Sequence, residues 1–204
     1  TLTETARIDA IIEQAKRDGK VGLIIGVQAS YPVETDLTRL YALYEIAQTM
    51  GTSLGVADTM ALIASKLTSL VPFSACALFV YDKATDTLRC RFATGDESDS
   101  IGSLSIRAGH GLTGWVARNR RSLVNARPSA DFEAGGVPKP ETTLNSALVA
   151  PLVFNDRFIG TLGVYHARAD FYSDDHRRLL DRVSEQASAV IHNSIVFEQA
   201  QEDS

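Results

Sequence analysis

"RAGHGLTGW", Arg107 to Trp115, carries Gly109, Gly111 and Gly114 in the spacing G-x-G-x-x-G, the fingerprint of a dinucleotide-binding turn. Two folds compete for this stretch. A dinucleotide site needs the glycines directly after a buried parallel strand, a long helix opening at the loop, and an acidic residue ending the next strand. Here the residues before the loop include polar Ser103, Ser105 and Arg107, and Asp131, near the right distance, falls in a Pro- and Gly-rich stretch. The helix after the loop has room for only about two turns before Ser122. The spacing therefore predicts a packing turn, with Gly109 and Gly111 free to take positive φ and Gly114 and Trp115 letting a short helix lie close on a sheet. NAD and FAD are not expected.

The flanking segments decide the class. Downstream, "SLVNA" reads as a short strand, and Arg127 to Glu141, "RPSADFEAGGVPKPE", as a long lid-like loop. "LNSALVAPLVF" and "RFIGTLGVYHA" are strands joined by the tight hairpin signal Asn155-Asp156. A helix from Ser173 to about Gln201 closes the chain, with Asp174 and Asp175 in its first turn. Upstream, "GSLSIRA" is a short strand and "SACALFVYD" an apolar one. "LRCRFATG" alternates, with Leu88, Cys90 and Phe92 on one face and Arg89 and Arg91 on the other. Helices are predicted over 3–18, 36–50 and 56–70, with an extended segment over 20–32. Hairpins outnumber β-α-β crossovers, so the fold class is α+β.

Bulk properties exclude several functions. The 204-residue chain is 45% apolar and 22% charged with a net charge of −5. "RNRR", Arg118 to Arg121, reads as a solvated turn, so no nucleic-acid surface is expected. The longest apolar run, "VGLIIGV", is too short for a membrane span, no signal peptide is visible, and a cytoplasmic location with reduced thiols is expected. Cys76 and Cys90 form no C-x-x-C and read as small core hydrophobes. His110, His166, His176 and His192 do not converge, so no metal is expected. No nucleophile–base pair stands out. The chain begins at Thr1 and stops at Ser204 inside a helical pattern, which reads as a fragment of something longer.

From about Leu40 to Val196 the chain resembles a GAF domain, the small-molecule regulatory module of bacterial signalling proteins. The resemblance rests on "SACALFVYD", "AGHGLTGWVARNRRSL", "SALVAPLVFNDRFIGTLGVY" and "FYSDDHRRLLDRVSEQASAVIHNS". It implies a GAF/PAS-like central antiparallel sheet of about six strands, N- and C-terminal helices packed on one face, and a pocket on the other, roofed by the short helix and the long loop. The division it implies is 1–35 as N-terminal helix and connector, 36–200 as the GAF domain with its leading and closing signalling helices, and 201–204 as the start of a linker to an output domain. Leu112, Thr113, Asp131, Phe132, Thr143, Asn145 and Ser146 would line that pocket. Arg107, leading into the helix N-terminus, suits a phosphate or carboxylate.

Branches of the family differ in ligand. Of the Asn-Lys…Phe…Asp-Glu pattern of cyclic-nucleotide binders, Phe171 and Asp175 match, while His166, Ala167 and His176 depart. A covalent bilin needs a cysteine that residues 108–150 lack, and the methionine-sulfoxide-reducing branch needs pocket cysteines that Cys76 and Cys90 do not resemble. The expected function is a non-catalytic sensing module of unknown ligand. A parallel homodimer is expected to form through Leu37, Leu40 and Tyr44 and through Val183, Val190 and Phe197, relaying to a cyclic-dinucleotide synthase or histidine kinase output. A ligand-free dimerisation or structural spacer is the rival reading, and a thiol-based reductase the third.

Overall fold

The computed structural model of the protein describes residues 55–137 and 141–204. The helices read over 3–18 and 36–50, the extended segment between them, and Leu37, Leu40 and Tyr44 lie outside the described residues. The elements run α1 (Val56–Leu70), β1 (Ala75–Asp82), β2 (Thr87–Gly95), α2 (Ser98–Gly102), β3 (Ser105–Arg107) and α3 (Gly111–Asn119). They continue with β4 (Leu123–Ala126), α4 (Ser129–Ala134), β5 (Ser146–Phe154), β6 (Arg157–His166) and α5 (Asp174–Glu202).

The strands form one antiparallel sheet in the order β3-β2-β1-β6-β5-β4. Its centre, β1 and β6, is buried on both faces, which explains the near-continuous apolar run of "ACALFV". At the β5–β6 turn Asn155 and Asp156 take φ of 49° and 60°, the mirror-image turn whose twist matches that of paired strands. Alternation sorts the side chains. Ala77, Phe79, Leu88, Ala147, Val149 and Tyr165 face a core completed by α3 and α4. Cys76, Leu78, Leu148, Leu152, Leu162 and Val164 face the opposite side, where α5 lies on β5 and pairs with α1.

Three sequence expectations change. A register shift pairs Leu78 with Phe92 and Phe79 with Cys90, leaving Arg91 as the extra residue of a bulge. Phe92 therefore turns to the helical face, away from Leu88 and Cys90, because a one-residue slip exchanges the faces of a strand. "GSLSIRA" is strand only over Ser105–Arg107, and α2 precedes it, ending where Leu104 N–H donates to the Ile101 carbonyl. The stretch read as a loop after Arg127 contains α4, a short helix bounded by Pro128 and Gly135.

Gly160 is where the sheet is tightest, since a Cβ there would lie 2.0 Å from the Phe79 carbonyl oxygen. Beside it Thr161 is fully buried, and its hydroxyl makes no hydrogen bond. An unpaired buried hydroxyl is a net loss, so Thr161→Val, equal in shape, is expected to raise unfolding stability by about 1 kcal/mol. Urea denaturation of both proteins measures the difference.

Candidate functional site

The site builds up from the glycine turn. The residue preceding α3, His110, makes no capping bond with its side chain, which leaves the helix's first amides to be satisfied from elsewhere. Asp131 of α4 does so. Its Oδ1 accepts Leu112 N–H at 2.7 Å and Thr113 N–H at 3.0 Å, and its Oδ2 accepts the Thr113 hydroxyl at 2.7 Å. The carboxylate is 2% exposed. Burial raises its pKa, against the lowering effect of the Thr113 and Leu112 hydrogen bonds. A fixed dipole and three donors replace water around this charge.

The glycines make this geometry possible. Gly111 has φ +61°, and a Cβ on it would sit 2.5 Å from Asp131 Oδ1. At Gly114 a Cβ would stand 2.5 Å from the Arg107 carbonyl, and the Gly114 carbonyl accepts Gly109 N–H at 2.8 Å. Gly111 thus makes room for the internal carboxylate, Gly114 lets α3 close on the end of β3, and Gly109 supplies the positive φ, +92°, of the turn.

The pocket candidates divide. Leu112, Thr113, Asp131 and Phe132 come together, with Leu112 and Phe132 packed among Leu104, Ile106, Val116 and Tyr165. Tyr165 is held well above the ordinary phenol range, first by burial and then by Asp131. The other candidates have different engagements. Arg107 is exposed at the end of β3. Thr143 N–H and hydroxyl donate to Glu97, Asn145 Nδ2 to the Thr143 and Ala167 carbonyls, and the Ser146 hydroxyl to the Arg168 carbonyl. Of the residues expected on a dimer seam, Val183 and Val190 are 3% and 9% exposed within the chain, and Phe197 is half-buried. Ser194 of the same stripe shares a 2.7 Å hydroxyl contact with Thr59 of α1. The stripe thus meets the chain's own first described helix.

Several anchors have no local sequence signal. Glu198 Oε1 accepts Val56 N–H at 2.7 Å, capping α1 from the far end of α5, and Oε2 pairs with Arg91 at 2.6 Å. Asn125, at φ 55° in the β4 bulge, bonds both the N–H and the carbonyl of Tyr172. Only the tolerance of Asn for left-handed backbone hinted at this.

Where β6 leads into α5, His166 stacks on Phe171 at 3.6 Å between ring centroids, and His176 lies parallel on Phe171 at 5.6 Å. His166 Nδ1 accepts Arg168 N–H, and His176 Nδ1 accepts Ser173 N–H in a capping box. Cys76 and Cys90 are free and lie on opposite faces of the sheet. Burial pushes their thiols up to about 12 and about 11. Among the described residues no group of His, Cys, Asp and Glu is placed to hold a metal ion, and no helix is long and apolar enough to cross a membrane.

Comparison with known proteins agrees with this architecture. The GAF domain family profile matches residues 53–192, and the chain belongs to the GAF domain family. Among solved structures it is similar to the GAF domain of a phosphoenolpyruvate-protein phosphotransferase from Coxiella burnetii, at 17% identity and a TM-score of 0.63 over 83% of this chain and 98% of that one. The corresponding domain from Acinetobacter gives 19% identity and a TM-score of 0.60 over 79% and 93%. Free methionine-R-sulfoxide reductase from Neisseria meningitidis, in complex with its substrate, gives 16% identity and a TM-score of 0.60 over 82% and 91%. No curated protein matches. The fold thus serves regulatory domains and enzymes alike, and these identities speak to fold alone.

Two variants test the site. Asp131→Ala strands two amides of α3 and is expected to cost about 2–3 kcal/mol, while Asp131→Asn, which keeps one acceptor oxygen, costs clearly less. Chemical denaturation at neutral pH separates them. The His166 pKa is lowered from 6.5 by desolvation and then by Arg168. The folded state therefore favours the neutral ring, and this stability is present above pH 6.5 and lost as pH falls through the folded-state value. The melting temperature should fall between neutral and mildly acidic pH, and fall less in His166→Asn.

Proposed function

We propose that this GAF domain is a non-catalytic sensing module of a larger signal-transduction protein, in which an anionic ligand competes with Asp131 for the N-terminus of α3. The observation that carries this reading is the buried carboxylate itself. A charge so enclosed is costly unless fully hydrogen-bonded, and its donors are the set a ligand carboxylate or phosphate would use. Exchange would free α4, whose Phe132 closes the core beneath it, and so loosen one face of the sheet whose other face carries α5. Relay to a cyclic-dinucleotide synthase or histidine kinase through paired helices completes the proposal. Leu62 of α1, 40% exposed, is an apolar side chain that such pairing would cover.

A second reading has its own observation. Leu104, Ile106, Val116, Phe132 and Leu144 pack together under α3 and α4, as a structural spacer with a closed interior would. Against the reductase reading stand the two thiols, Cys76 buried and Cys90 half-buried, both raised in pKa and on opposite faces, since thiol chemistry needs an accessible thiolate.

The amide resonances of Leu112 and Thr113 decide between sensing and spacing. The protein is titrated with cyclic nucleotides, cyclic dinucleotides, oxo-acids and free methionine sulfoxide. A sensor shows saturable shifts at both amides, and about 2.7 kcal/mol of added stability at a hundredfold excess over Kd. Unmoved amides throughout favour the spacer, and turnover of the sulfoxide with a thiol reductant revives the enzyme.

A further inference from the structure

Near the tip of the β5–β6 hairpin the pairing of β1 with β6 ends. The last β1–β6 pair is Val80 with Gly160, and a register shift between Leu152 and Val153 leaves Ile159 unpaired. Beyond it the ends of β1 and β6 border a cleft of about 530 Å3. Lys83, Arg120 and Arg157 line it, from a turn, the end of α3 and the start of β6, and no carboxylate does. Three cations without an acid are conspicuous in a chain of net charge −5.

Apart from Gln199, the remaining walls are apolar or aromatic. Tyr81 and Phe158 meet at 5.5 Å between centroids, and the Arg120 guanidinium lies over the Phe158 ring at 3.9 Å. Across from them stand His192, Ile195 and Val196 of α5, with Val196 47% exposed. The Tyr81 hydroxyl donates to Asp86, whose other oxygen holds Arg118. That carboxylate is therefore already engaged. Arg120 stands at φ 56° as the left-handed cap of α3, a backbone position glycine fills most easily. Partial burial and the neighbouring Arg118 both disfavour its charge.

We propose that this cleft binds a small amphipathic organic anion, its charged head among Lys83, Arg120 and Arg157 and its apolar body against Tyr81, Phe158 and Val196. Convergent cations over an apolar floor are the composition of a ligand site, and like charges gathered in a concavity focus an attractive field on an anion. The cleft is separate from the Asp131 site and does not depend on that reading. It joins the end of α3, from one face of the sheet, to α5 on the other, so an occupant would tie the two layers together.

The test titrates the full chain with naphthalenesulfonate, decanoate, neutral naphthol and inorganic phosphate, following Kd by calorimetry and the His192 ring protons by NMR. The two organic anions are expected to bind and shift His192, with naphthol and phosphate each at least tenfold weaker. The order of the two organic anions tells whether the rings or the aliphatic wall seats the body. Arg120→Gly keeps the left-handed cap, and with Lys83→Ala and Arg157→Ala it should weaken anion binding tenfold or more at an unchanged melting temperature. Arg127→Ala, a charge-matched surface control, should leave it intact. Neutral naphthol binding as tightly, phosphate binding as tightly, an equal loss in the control, or no binding by either organic anion overturns the proposal.

Discussion

Two helices, α1 and α3, begin without a capping side chain of their own, and each is completed by a carboxylate brought from elsewhere in the chain. Gly55 and His110 precede α1 and α3, and neither side chain caps. Glu198 does it for α1 and Asp131 for α3. A helix N-terminus combines unpaired amides with a positive dipole end, so each carboxylate is drawn into a fixed position and brings its own element with it. Asp131 holds α4 down over the core, and Glu198, through its second oxygen on Arg91, holds α5 to both α1 and β2. Each helix can therefore be seated only after distant segments have come together, which links these local contacts to the cooperativity of the whole.

The sheet between these two layers is the common floor. On β5 and β6 it is touched by α3 from one face and by α5 from the other. The residues that make the fold tight are small: Gly111 under Asp131, Gly114 against Arg107, and Gly160 against Phe79. Where that tightness ends, at the hairpin tip, cations and rings collect. Two chemically different places result, one enclosing a negative charge and one presenting positive charge. They sit at opposite ends of the same short helix.

Much of this was legible in the residues, and what escaped shares a physical reason. Helix α5, the Asn155-Asp156 turn and the packing role of the glycines follow from periodicity, caps and backbone preference, all of which act over a few positions. The bulge at Arg91 does not. L-R-C-R-F alternates faultlessly, and only the pairing of Leu78 with Phe92 reverses its outcome. Helix α4 was hidden by the Pro and Gly residues around it. The resemblance puts Asp131 and Phe132 in a pocket lining, yet nothing local says that the Asp131 carboxylate bonds the first amides of α3. Glu198 gave no signal at all, because its partner, Val56, is 142 positions away.

The antiparallel run of α1 and α5 has a mechanical consequence. Val56 meets Glu198 and Thr59 meets Ser194, so the start of α1 and the last turns of α5 lie at one pole. Tension applied through these two ends loads the contacts one after another, starting with the Val56–Glu198 bond, as a zipper opens from its slider. A twist about the α5 axis is shared at once by the contacts along β5 and α1. Pulling at this pole therefore meets the α1–α5 contacts singly, whereas twisting meets them together.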